Sequence, residues 1–169
     1  MKKAVWSGII AAAGVLALST SVYAQQTANG TVNVTATVAA KAKLTINGVT
    51  ATSISFADAD PDLFPTVTAS VLNIALKART TGNGAVTLTV RASQDLTSGS
   101  DIIAISALKW SATGANFAAG TSSSSAEVNV FTGTGPGNHT GTQTYALDNS
   151  WAYATGTYTT TLTYTMTAP

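Results

Sequence analysis

Residues 31–46 read TVNVTATVAAKAKLTI, and their alternation decides the fold. Val32, Val34, Ala36, Val38, Ala40, Ala42, Leu44 and Ile46 hold every even position. Thr31, Asn33, Thr35, Thr37, Ala39, Lys41, Lys43 and Thr45 hold the odd ones. A period of two means a β-strand with one face for burial. At ~3.3 Å per residue the strand would span roughly 50 Å, against ~17–20 Å for an ordinary one. Either it bends near the small residues Ala39 and Ala40, or its first half pairs beyond its own fold. In the second case residues 25–38 form an exchangeable amino-terminal strand, with Val32, Val34, Ala36 and Val38 as the row inserted into a neighbour.

The other end of the chain repeats the pattern. Thr157, Thr159, Thr161, Thr163 and Thr165 alternate with Tyr158, Thr160, Leu162, Tyr164 and Met166, a half-buried strand with threonine towards water. It ends before Pro169, which has no N–H to donate to a ladder. Residues 71–78 and 85–92 flank Gly82-Asn83-Gly84 and read as a hairpin. If Ile74, Leu76 and Ala78 are to share a face with Val86, Leu88 and Val90, the loop has three residues with Gly84 left-handed, which sets Ala78 opposite Leu88. Further strands are expected at 52–56, 101–110, 127–131 and 142–147, separated by polar turns at 97–100, 120–125, 133–138 and 148–150. No helical stripe occurs after residue 24. Many short strands joined by polar turns predict an all-β fold, an antiparallel immunoglobulin-like β-sandwich formed as a single domain by residues 25–169.

Residues 1–24 have the three parts of a secretory signal: Lys2 and Lys3, an apolar run over 4–18, and a small-residue exit with Val22 and Ala24 before Gln25. The apolar run is shorter than the ~20 residues of a spanning helix, so a signal helix cleaved from an exported protein is expected, with no membrane span afterwards. The destination is the periplasm, the cell surface or the extracellular space. Removing the two lysines leaves 6 basic against 7 acidic groups, a net charge of −1. The chain has no cysteine, so its stability rests on core and ladder and not on disulfides.

Only 9% of the residues are charged, against roughly a quarter in ordinary soluble domains, while 30 are threonine. Without clustered Lys and Arg, nucleic acid is excluded as a partner. The same composition excludes a coiled coil and a charged disordered tail. The one carboxylate cluster is Asp58, Asp60 and Asp62, in Ala57-Asp58-Ala59-Asp60-Pro61-Asp62. Alternate aspartates on a loop can converge on calcium, a hard cation that prefers oxygen ligands. However, Leu63 and Ala69 stand where the helical calcium loop requires glycine and glutamate, and the other reading is an acidic turn held by Pro61 and Pro65. His139, the only histidine, has no second histidine or cysteine with which to bind a metal, and reads as a surface residue. Gly133-Thr134-Gly135-Pro136-Gly137 lacks the lysine of a phosphate loop and reads as a turn. Acid–base catalysis needs convergent titratable groups, which are scarce, so no enzymatic activity and no cofactor are expected. Trp110 and Trp151 remain as candidate glycan-binding platforms, with a place in the core as the competing role.

Leu108-Lys109-Trp110-Ser111-Ala112-Thr113-Gly114, the stretch Asn149-Ser150-Trp151-Ala152-Tyr153-Ala154-Thr155-Gly156-Thr157-Tyr158 and the closing Leu162-Thr163-Tyr164-Thr165-Met166-Thr167-Ala168-Pro169 together resemble the WxL-type domains of bacterial surface proteins. They also resemble exported bacterial immunoglobulin-like proteins related to spore-coat and pilus subunits. The first resemblance implies non-covalent attachment to peptidoglycan. Trp110 is followed by Ser111 and Ala112, and Tyr164-Thr165-Met166 replaces the second Trp-x-Leu motif, so the fold and envelope setting carry over better than the ligand. The expectation is a non-enzymatic structural protein of the cell envelope or surface, a fibre or coat subunit using strand addition. Its partners are then copies of itself or other envelope proteins. The alternative is a module that binds peptidoglycan or another cell-surface glycan.

Overall fold

Eleven strands build an antiparallel β-sandwich in the structure, a computed structural model that describes residues 31–169. The expected signal at 1–24 lies outside the described residues, as does the start of the exchangeable segment. The strands are β1 Lys41–Ile46, β2 Thr66–Thr68, β3 Leu72–Arg79, β4 Ala85–Ala92, β5 Leu96–Ser98, β6 Asp101–Ile103, β7 Leu108–Thr113, β8 Gly120–Thr121, β9 Val128–Thr134, β10 Gly137–Asp148 and β11 Leu162–Thr167. The first sheet runs β1-β3-β10-β7-β8, with β2 also paired to the far end of β10; the second runs β11-β4-β9. A two-stranded ribbon, β5-β6, stands apart. Among the described residues no helix is long and apolar enough to cross a membrane.

Burial follows the alternation. Ile74, Leu76 and Ala78 of β3 face Val86, Leu88 and Val90 of β4 across the core, and all six are at most 6% exposed. The two strands do not form the expected hairpin: β3 pairs with β1 and β10, whereas β4 pairs with β11 and β9. Alternation determines which side chains are buried, and stacking face to face satisfies it as well as pairing side by side. The 80–84 loop is therefore an arch between sheets. Gly82, with φ +57°, takes the left-handed position expected of Gly84.

Other expectations change for equally local reasons. β1 begins at Lys41, opposite Arg79, the last residue of β3, so the sheet offers residues 31–40 no ladder to extend. They form no strand and are exposed, and the bent-strand reading gives way to an unpaired approach. Residues 52–56 form no strand, although Ile54 and Phe56 pack on the core. The segment at 101–110 splits into β6, a 3-10 turn at Ile105–Ala107, and β7. At the end of the chain only Leu162–Thr167 forms a continuous strand. The expected turn at 133–138 shrinks to Gly135 and Pro136, because β9 and β10 run on either side of it. A bulge at Leu88/Thr89 gives β9 an extra residue, which lets Val130 and Phe131, adjacent in sequence, both be fully buried.

Topology assigns each element an end. β1 starts, β3 ends, β4 starts and β10 starts at one pole. Pro169 arrives there too: a Cβ on Gly84 would lie 3.2 Å from its ring. At the opposite pole β10 ends at Asp148, and the loops 57–65 and 149–153 meet.

Candidate functional site

Residues 31–38 keep their strand pattern but have no strand partner among the described residues. Val32 and Val34 are each 87% exposed and Val38 71%, and Ala36 is exposed as well. Burying such a row is worth about 25 cal/mol per Å² of apolar surface, so leaving it in water forgoes several kcal/mol. Residues 31–36 lie outside the unit formed by Thr37–Pro169; Val38 belongs to that unit, yet is still uncovered.

Within that unit, β1 is an edge strand of the first sheet and β11 an edge strand of the second, and the two lie against one another. On the central strand β4, Val86, Leu88 and Val90 are sealed, but on β11 the inward-facing Leu162, Tyr164 and Met166 are only partly buried, as is Leu44 on β1. The sandwich is thus less well covered along this seam than at its centre. Threonines 163, 165 and 167 face water on the other side of β11.

Beneath the seam is a polar group that sequence patterning does not anticipate. Gln143 and Tyr145 are both fully buried on β10. The Tyr164 hydroxyl donates to Gln143 Oε1 at 2.6 Å and accepts from the Tyr145 hydroxyl at 2.8 Å, which ties the edge strand of one sheet to the centre of the other. Burial pushes the Tyr164 phenol up to about 12, although the Tyr145 hydroxyl bond works against the rise. Burial, and then the neighbouring Tyr164, hold Tyr145 well above the ordinary tyrosine range. Below about pH 10 tyrosines are protonated in both folded and unfolded chains, and the pair adds no pH dependence. As pH rises from there, the unfolded chain releases protons that the folded chain keeps, so stability falls, with a slope that eases only when Tyr164 ionises at about 12. Urea midpoints should be level from pH 8 to 9.5 and drop steeply towards pH 11.5, with a shallower drop in Tyr164→Phe. At neutral pH that variant should be about 1–3 kcal/mol less stable, because it strands Gln143 Oε1 in the core.

The two tryptophans separate. Trp110 is 3% exposed, its ring against Tyr145 at a centroid distance of 5.7 Å and its Nε1 donating to Ala118 O at 2.9 Å. Gly120 sits directly against the indole, where any Cβ would collide with it. No face of Trp110 is open to a sugar, which corrects its candidacy as a glycan platform. Trp151 is 70% exposed and its Nε1 donates to Asp62 Oδ1 at 3.1 Å. Asn149 clamps the loop opposite, with Nδ2 donating to Ala59 O at 3.0 Å and to Phe64 O at 3.1 Å. The exposed Leu63 and Phe64 belong to the same loop.

Asp58, Asp60 and Asp62 do not converge on a cation. Asp60 Oδ1 accepts the Asp62 N–H at 2.9 Å, which closes the turn, and Asp62 is turned to Trp151. Among the described residues no three His, Cys, Asp or Glu side chains are grouped to hold a metal. His139 is not a free surface residue. It lies half-buried on β10, its ring 4.9 Å from that of Phe131.

No family model matches this chain, and no curated protein matches it either.

Proposed function

We propose that this protein is a non-enzymatic structural subunit of the cell envelope or surface, which assembles with copies of itself by strand addition. Residues 25–38 are the donated strand. The observation that carries this reading is the exposed row Val32, Val34, Ala36 and Val38, strand-patterned and unpaired. Three further features support it: two open sheet edges, a partly covered seam between them, and few charges to discourage edge-to-edge pairing. Backbone hydrogen bonds would supply affinity and the alternate valines register. Gel filtration and negative-stain microscopy of the mature protein test it: oligomers that lengthen with concentration are expected. A stable monomer with residues 25–38 protected from protease would contradict it, since the strand would then be spent within its own chain.

Trp151 favours a second reading, a module that binds wall glycan in the manner of WxL domains. An indole held at its edge by Asp62 and open elsewhere suits the apolar face of a pyranose, with a carboxylate beside it for hydroxyls. Trp151→Ala should change stability by no more than about 0.5 kcal/mol, as exposed substitutions do. If this reading holds, the same variant should lose co-sedimentation with purified cell walls. Wild type that stays in the supernatant would remove glycan binding.

A further inference from the structure

We infer that the acceptor for the donated strand is the free edge of β11 in a second copy, entered antiparallel, with Ala36 opposite Tyr164. This rests on the strand-addition reading and adds to it the partner edge, the direction and the register.

Direction follows from the two poles. The chain enters β1 at the pole where Lys41 lies opposite Arg79, so the donor joins its own sandwich there. If copies stack head to tail, the donor enters the next copy at the far pole, beside the 57–65 and 149–153 loops, and lies parallel to that copy's β1. β11 pairs antiparallel to β4, starting at the far pole with Leu162 opposite Ala92 and ending near Pro169. A donor laid along the seam therefore runs antiparallel to β11. That arrangement gives hydrogen bonds perpendicular to the strands, in alternating close and wide pairs, to an edge strand whose only sheet partner among the described residues is β4. Stacking of this kind also brings the exposed Leu63, Phe64 and Trp151 at the far pole towards the preceding copy.

Register follows from parity and size. The apolar donor row must fall on the face shared by Leu162, Tyr164 and Met166, because a slip of one residue would turn threonines inward. Among the registers that satisfy this, one sets the smallest donor residue, Ala36, against the largest acceptor residue, Tyr164. Val38 then meets Leu162 and Val34 meets Met166. On the water side the same register sets Thr35 against Thr165 and Thr37 against Thr163, pairs that suit adjacent antiparallel strands. The row from Val32 to Val38 spans roughly 20 Å at ~3.3 Å per residue, close to the length of β11.

The natural chain has no cysteine, so single cysteines report only what is designed. Mature Thr35→Cys protein labelled with a heavy isotope is co-refolded with unlabelled Thr165→Cys protein and mildly oxidised. Each chain carries one thiol, so any bridge between the two is intermolecular, and both positions are exposed, which leaves the core intact. Mass spectrometry of the digested product should show the 35–165 disulfide at least ten-fold above the 35–163 disulfide from a parallel mixture with Thr163→Cys. If wild type assembles but Thr35→Cys bridges to Lys43→Cys on β1 in preference to Thr165→Cys, the acceptor is wrong while strand addition stands. If wild type does not assemble and neither bridge forms, both the acceptor and the strand-addition reading fall.

Discussion

Val34→Asp should leave a folded monomer and abolish assembly. Val34 is 87% exposed in the single chain, so the substitution costs the monomer little, within the roughly 0.5 kcal/mol typical of surface changes. In the assembled state the same side chain would enter an apolar seam, where an unpaired carboxylate is penalised by several kcal/mol. Each 1.4 kcal/mol is ten-fold in affinity, so three would weaken each junction by more than a hundred-fold. Gel filtration should show the variant as monomer at concentrations where wild type elutes as oligomers, with unchanged circular dichroism. Val32→Asp should behave similarly. Thr35→Asp, on the water-facing side of the same segment, should assemble nearly as wild type does. This contrast separates strand insertion from a general effect of added charge.

Trp110→Ala should have the largest effect on folding. The ring is almost wholly buried, packs on Tyr145 and Gly120, and anchors the 114–120 loop through its bond to Ala118 O. Truncating a buried tryptophan costs about 3–5 kcal/mol, which is much of the stability of a typical domain. A fall in Tm on the order of 10–20 °C should follow, read by thermal denaturation. Gly120→Ala should also destabilise the fold, because the added methyl has no room beside the indole. Co-sedimentation assays with Trp110 variants would therefore report unfolding, not lost contact with a ligand.

The strand content was legible in the chain because threonine and valine alternate so regularly that burial can be read residue by residue. Ile74, Leu76, Val86, Leu88 and Val90 are all sealed in the core. Partnership was not legible, because the same alternation serves a hairpin and a face-to-face stack equally well, and β3 and β4 adopt the second. Where the ladder ends was hidden too. The pattern of residues 31–46 continues without a break, and only the last residue of β3, at Arg79, stops the pairing at Lys41. The buried Gln143–Tyr145–Tyr164 group left no signal, since a glutamine in a threonine-rich strand reads as water-facing until its neighbours across the core are known. Trp110 and Trp151 look alike in sequence, and they part only because one lies on a paired strand opposite Tyr145 and the other on a loop beside Asp62.

Amide hydrogen exchange across residues 31–40 of the mature protein, followed as a function of concentration, tests strand donation most directly. Backbone N–H groups that pair with a second copy are protected only when that copy is present. The expected result is alternating protection over residues 32–38 that appears with assembly and disappears on dilution, accompanied by new protection on the outer edge of β11. Rapid exchange throughout the segment at every concentration, in protein whose core amides are fully protected, would contradict it.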